Sequence, residues 1–202
     1  MYPLDLADPN APPVLQPSDL CSDNPASAIA TFEDAALEAA VRIALFPQDD
    51  LACELLSGLT GLNADRRGIT SLMGIQNLTG LTGLSLDGNA ITDVGPLSGL
   101  TNLTGLWLDD NSITDIGPLS GLTSLLGLWL HGNAITDIGA LSGLTSLTEL
   151  DLRDNPNLSN IQPLLSNAGL GATSVVHLSG TRVSCEDVAL LEAKRVAVVS
   201  TC

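Results

Sequence analysis

The chain has 202 residues, enough for one domain with a sizeable core, and 45% of them are apolar while only 2% are aromatic, so that core must be aliphatic. A net charge of −16 excludes nucleic acid as a natural partner, because a phosphate backbone needs Lys and Arg to displace its counterions, and it disfavours anionic lipid for the same reason. A partner carrying a basic patch is favoured instead, since an acidic field speeds its approach.

Residues 1–30 are Pro-rich and polar and read as an extended or partly disordered segment. Met1 leads straight into this run, so no signal peptide is expected here, and whether the chain is a mature or trimmed form stays open. No stretch is apolar for long enough to span a bilayer. FEDAALEAAVRIALF (32–46) places Phe32, Ala36, Ala40 and Ile43, with Leu37, Val41 and Leu45, on one side and predicts a helix. Thr31 is the expected N-cap, with Glu33 and Asp34 in the first turn. A second short helix is predicted over Asp49–Leu56. Residues 31–58 thus form a helical cap.

Residues 59–184 are repeats. Asn89, Asn111, Asn133 and Asn155 recur every 22 residues, and the units beginning at Leu100 and Leu122 agree at 16 of 22 positions. The unit reads L-T-x-L-x-x-L-x-L-x-x-N-x-I-T-D-I-x-P-L-x-x. In its L-x-L stretch the two Leu point inward and the residue between them outward, as on a strand. Six strands are expected, near Leu62, Leu84, Leu106, Leu128, Leu150 and Val176. The Asn turns the chain, and its amide can bond backbone groups of the turn, so stacked copies form a ladder. The I-T-D-I/V-x-P-L stretch returns along the other side, where Pro96 and Pro118 suit a 3₁₀ path. One unit cannot bury its own apolar face, so neighbours must stack. The end units depart from the pattern: Arg67 and Thr181 replace the ladder Asn, and the last full unit is stretched to 26 residues.

LTGLSLDGNAITDVGPLSGL (81–100), LWLDDNSITDIGPLSGL (106–122) and LWLHGNAITDIGALSGL (128–144) resemble the 22-residue leucine-rich repeats of bacterial internalins. The resemblance covers roughly residues 31–184. It implies a right-handed α/β solenoid with a parallel, concave β-sheet and a helical N-terminal cap of the kind that precedes such arrays in bacterial surface proteins. For function it implies a binding scaffold.

Residues 185–202 form the C-terminal cap. Ser184-x-x-Asp187 opens a helix running to about Lys194, and VAVVSTC (196–202) closes with a strand. Cys21, Cys53, Cys185 and Cys202 allow three pairings. Six strands at ~4.8 Å set the solenoid ends roughly 25 Å apart, whereas a disulfide needs Cα atoms within about 7 Å. Cys21–Cys53 and Cys185–Cys202 are therefore the expected bonds, with four buried free thiols as the other reading. Cysteines confined to the caps point to an oxidising, exported location, extracellular or cell-surface rather than cytoplasmic.

Outward strand positions form columns. One runs Asn63, Ser85, Trp107, Trp129, Asp151, His177; the next Asp65, Asp87, Asp109, His131, Arg153, Ser179; a third Arg66, Gly88, Asp110, Gly132, Asp154, Gly180. Gly83, Gly105, Gly127 and Glu149 precede the first column, and the glycines are expected to leave the indole faces accessible. Trp107 and Trp129 are the only tryptophans and share one outward position on adjacent repeats. With Asp87, Asp109, Asp110, Asp151, His131 and Arg153 around them they have the composition of a protein-binding hot spot. A duplicated, functionless Trp is the plainer reading, and a Trp pair can also hold a sugar ring or a cation. Asp93, Asp115 and Asp137 are read as structural, accepting backbone N–H bonds in the T-D turn.

Nothing favours catalysis. His131 and His177 are the only histidines and fall in different columns, so no nucleophile–His grouping forms once the cysteines are paired. Asp109 with His131 lacks a third metal ligand, Asp87 and Asp109 lack a loop supplying enough oxygens for Ca²⁺, and no cofactor is expected. The sequons at Asn77, Asn102 and Asn157 follow from the N-L-T/S wording of the repeats. The leading function is a monomeric, non-enzymatic module binding a protein, or a glycan, on its concave face. A passive spacer in a larger protein, an intracellular regulatory repeat protein and a designed array are the alternatives.

Overall fold

The structure, a computed structural model, describes residues 11–46 and 50–202. Seven three-residue strands form one parallel sheet in chain order: β1 (Gly61–Asn63), β2 (Gly83–Ser85), β3 (Gly105–Trp107), β4 (Gly127–Trp129), β5 (Glu149–Asp151), β6 (Val175–His177) and β7 (Ala197–Val199). Their register is that of the repeat, Leu84 facing Leu106 and Leu106 facing Leu128. The central Leu or Val of β1 to β6 is buried, as the alternation predicts.

Opposite the sheet, 3₁₀ turns at Gly95–Leu97, Gly117–Gly121 and Gly139–Gly143 carry the chain back, the first two with Pro in the opening turn. Each return path adds buried aliphatics, such as Ile113, Ile116 and Leu119, to one continuous core. Burial of each such side chain contributes about 1.5–3 kcal/mol. The core is aliphatic along its length apart from Phe32 at its N-terminal end.

The Asn ladder closes the turns. Asn133 Nδ2 donates to the carbonyls of Leu108 (3.0 Å) and Leu130 (3.1 Å), while its Oδ1 accepts from Ile113 N–H (3.0 Å). Asn111 and Asn155 repeat the scheme, so each Asn ties its own repeat to the preceding one. Asn89 accepts from both Arg67 N–H and Ile69 N–H where the first repeat lacks its own Asn. In the last repeat Thr181 substitutes, donating to the Leu178 carbonyl (2.7 Å). Asp93, Asp115 and Asp137 each accept the N–H two residues on, at 2.7–2.8 Å.

The stretched unit accommodates a short helix, α3 (Gln162–Ser166), numbered after two helices of the N-terminal cap. Buried Asn167 holds it to the preceding return path through the Leu141 (2.7 Å) and Leu144 (3.1 Å) carbonyls. Lys194 Nζ caps its end on the Leu165 (2.8 Å) and Asn167 (2.7 Å) carbonyls.

The N-terminal cap differs from expectation in three ways. Helix α1 (Ala35–Leu45) is capped by Asp34, not Thr31. One Asp34 oxygen accepts Ala36 N–H (2.9 Å) and Leu37 N–H (3.2 Å), and the other reaches Thr70 N–H (2.9 Å), pinning the helix to the first repeat. Burial acts to raise the Asp34 pKa, but the four backbone N–H groups around it hold the carboxyl below its ordinary value. Thr31 instead donates to the Leu15 carbonyl, Phe32 is buried ahead of the helix, and Ile43 is exposed. Second, α2 (Cys53–Ser57) is shorter than predicted, because Ala52 is engaged in a bridge to Ile29; Asp49 lies outside the described residues. Third, residues 11–30, read as an extended or partly disordered segment ahead of the cap, pack against it and the array: Val14 bridges Ile29, a 3₁₀ turn runs over Cys21–Asp23, and Cys21 N–H donates to the side chain of buried Asn77 (2.8 Å). Residues 1–10 of that predicted segment lie outside the described residues.

Both caps carry the expected disulfides, Cys21–Cys53 and Cys185–Cys202, each with Cα atoms 5.4 Å apart. Ser184 caps α4 (Cys185–Ala193) by accepting Asp187 N–H, and β7 adds the closing strand.

Candidate functional site

Trp107 and Trp129 face each other across β3 and β4 with ring centroids 4.5 Å apart and planes 3° from parallel. That spacing is the strand spacing, so the sheet itself sets the stack. Both indoles are half-buried. Each leans back along its strand: a Cβ at Gly105 would lie 2.7 Å from Trp107 Cη2, and one at Gly127 only 2.3 Å from Trp129 Cη2. The glycines therefore seat the benzo edges of the rings rather than simply baring their faces, and both are buried in consequence. Around the pair runs an open trough of about 330 Å³, lined among others by Gly83, Leu126, Thr148 and Glu149.

The acidic surround divides by duty. Asp65, Asp87 and Asp109 form a second ladder, in which Oδ1 of each accepts the N–H of the next column member: Asp87 N–H (3.0 Å), Asp109 N–H (2.8 Å) and His131 N–H (2.8 Å). Burial raises the pKa of Asp87, with Asp65 and Asp110 adding to the effect. Asp109 is pushed up to about 6, first by burial and then by the charges of Asp87 and Asp151, against the bond from His131 N–H.

Asp151, expected on the rim, is buried, with 2% of its surface exposed. Arg153 folds over it, its Nε donating to both carboxylate oxygens at 3.0 and 2.9 Å. Burial acts to raise the Asp151 pKa, but the Arg153 fork outweighs it and holds the carboxyl below its ordinary value. Neither member of this pair is a free charge awaiting a partner. His131 lies between two exposed carboxylates: Nδ1 is 3.4 Å from Asp154 and Nε2 is 3.9 Å from Asp110, ion-pair distances for a protonated ring. Nδ1 is buried yet not aligned for a hydrogen bond.

The third column has a feature the sequence reading passed over: all six members adopt left-handed backbone, φ running from 50° at Asp154 to 74° at Gly180. Side chains and glycines alternate because each side chain lies over the next glycine. A Cβ at Gly132 would stand 2.4 Å from Asp110 Oδ1, in addition to the strain at φ +67°. The alternation of Arg or Asp with Gly was the readable signal.

Among the described residues, no group of three or more His, Cys, Asp or Glu side chains is arranged to hold a metal ion. No helix among them is long and apolar enough to cross a membrane.

A family model described as leucine rich repeats (2 copies) matches residues 79–121 and 123–166. Among solved structures, the chain is similar to an internalin, InlF, from Listeria monocytogenes, with a TM-score of 0.74 and 37% identity over 79% of this chain and 47% of that one. It is similar to internalin C2 of the same organism, with a TM-score of 0.51 and 31% identity over 83% and 93% of the two chains. The functional domain of InlJ from Listeria monocytogenes, described as including a cysteine ladder, gives a TM-score of 0.57 and 26% identity over 83% and 41%. The chain thus spans about half the length of the InlF structure. A comparison with curated protein sequences gave no match.

Proposed function

The chain belongs to the internalin-like leucine-rich-repeat proteins, and from that premise we propose that it binds a protein partner on its concave sheet, with Trp107 and Trp129 as anchors and without catalysis of its own. The observation that carries this reading is the stacked pair itself. Two large aromatic rings stand half-exposed at one outward strand position, held rigid by each other and by their glycine seats. Rigid aromatics surrounded by charge are the usual energetic centre of an interface. A passive spacer has no need of them.

Of the acidic surround, Asp110 stays exposed for a partner, whereas Asp87 and Asp109 each have one carboxylate oxygen engaged by the backbone. His131 lies at the same edge, and Asp151 and Arg153 serve by supporting the sheet beside Trp129. Two disulfides favour an extracellular or cell-surface setting, because such bonds do not persist in a reducing cytosol. Residues 11–58 act as the N-terminal cap, 59–184 as the binding array and 185–202 as the C-terminal cap.

The test is a binding screen of the oxidised chain against purified extracellular domains, repeated with Trp107→Ala/Trp129→Ala. Binding that falls more than tenfold in the double variant, with an unchanged circular dichroism spectrum, supports the reading. Binding that ignores the double variant overturns it.

A further inference from the structure

We propose, resting on the reading above, that the slot between Trp129 and Glu149 receives a cationic side chain, Arg or Lys, presented by the protein partner. The two indoles cover each other's inner faces, which leaves the outer face of Trp129 turned toward β5. Because the ring leans back over Gly127, what stands beside it on β5 is the register partner of Gly127, which is Glu149. The equivalent positions of the four preceding strands are glycine (Gly61, Gly83, Gly105 and Gly127), so this is the single place in the trough where a carboxylate flanks an aromatic face. Glu149 is exposed and, among the described residues, has no ion-pair partner; the nearby Arg153 is engaged with Asp151.

A second departure from the repeat points the same way. The residue before each of these positions is Thr at 60, 82, 104 and 148, but Leu at 126. Leu126 is a large apolar side chain left 49% exposed, and it lines the same trough. Lys and Arg carry apolar stems below their charged heads, so an aliphatic wall next to an aromatic face and a carboxylate matches them in order.

The trough's hydrogen-bonding character argues against a sugar. Thr82, Thr104 and Thr148 donate their hydroxyl protons to the carbonyls of Thr60, Thr82 and Leu126 at 3.0–3.1 Å. Apart from the two indole N–H groups, the lining side chains therefore offer acceptors and π faces rather than free donors. Sugar hydroxyls need both kinds of partner, whereas a cation needs only acceptors and π density. The net charge of −16 adds a field of the right sign.

The probe is the peptide Ac-Gly-Arg-Gly-NH₂, titrated against the oxidised chain while the indole N–H resonances and tryptophan fluorescence are followed. The uncharged citrulline peptide and cellotriose serve as comparisons. The proposal expects a saturable response to the arginine peptide and a much smaller one to citrulline, with affinity lowered about two- to fivefold in Glu149→Gln, the scale of one exposed ion pair. Glu149 is exposed, so this variant tests the slot without disturbing the core. An equal response to citrulline, affinity unchanged in Glu149→Gln, or a response to cellotriose alone overturns it. A Trp-dependent protein partner found in a chain indifferent to the arginine peptide would sink this inference while leaving the interface reading intact; indifference of the partner to the Trp pair sinks both.

Discussion

Replacing Asp109 with Asn gives the sharpest test of the electrostatics on the sheet. The carboxylate accepts His131 N–H, and the Asn amide oxygen can take the same bond, so the substitution removes charge while keeping geometry. Burial, with Asp87 and Asp151 adding, pushes Asp109 up to about 6 from 3.8. A carboxyl whose pKa is raised by folding binds its proton more tightly in the native state, so its contribution falls as pH rises between those values. Below about 3.8 the group is protonated in both states and the variant should match the parent. Above about 6 the native state holds an unfavourable charge throughout. A shift of roughly two units corresponds to an upper bound of ~3 kcal/mol, and screening at a half-exposed site reduces it to about 1 kcal/mol. Urea unfolding of both proteins from pH 4 to pH 8 should show Asp109→Asn gaining stability through pH 4–6 and then holding a constant advantage of that size. A flat difference across pH, or a variant less stable than the parent at pH 7, would refute the argument.

Asn133→Ala should cost about 3–5 kcal/mol, since it strands the Ile113 N–H and two carbonyls in a buried turn, whereas Asn89→Ala, in a half-exposed turn, should cost less than half as much; urea midpoints compare them. Gly132→Ala should destabilise by about 1–2 kcal/mol through left-handed strain and the clash with Asp110, and made in an Asp110→Ala background, measured against that single variant, it should cost only the strain part. Replacing both members of Cys185–Cys202 with Ser, which opens a loop with sequence separation 17, should cost about 3 kcal/mol by thermal unfolding, with the midpoint of the repeats falling in step if the array is cooperative.

The fold was legible because a 22-residue period constrains every position at once: strand register, Asn ladder, T-D turns and return path follow from stacking identical units. The disulfides were legible because the length of the array keeps its ends apart. What the period does not encode is what differs between repeats. Asp34 was passed over as a cap because the apolar pattern runs back to Phe32, yet Phe32 packs from outside the helix. The Asp151–Arg153 pair joins the last residue of β5 to the turn two residues on, so a column-by-column reading separated them and counted both as surface. The carboxylates of Asp87 and Asp109 resembled a rim because their bonds go to the backbone of the next repeat, which a side-chain pattern does not display. Buried Asn167 belongs to the one stretched unit and Lys194 to the C-terminal cap, and neither position had a matching repeat to be read against.

The paired staples have a mechanical consequence. A solenoid tethered by its ends and pulled along its length yields by peeling, because terminal units have one neighbour rather than two. Each 22-residue repeat so freed would lengthen the chain by about 70 Å. Here the terminal units lie beside loops closed by Cys21–Cys53 and Cys185–Cys202, and a closed loop transmits tension through its sulfur bridge instead of unwinding. Under load the looped part of each cap then adds little length, and the first chain to be released is that of the end repeats beside the bridges, where Arg67 and Thr181 stand in place of the ladder Asn.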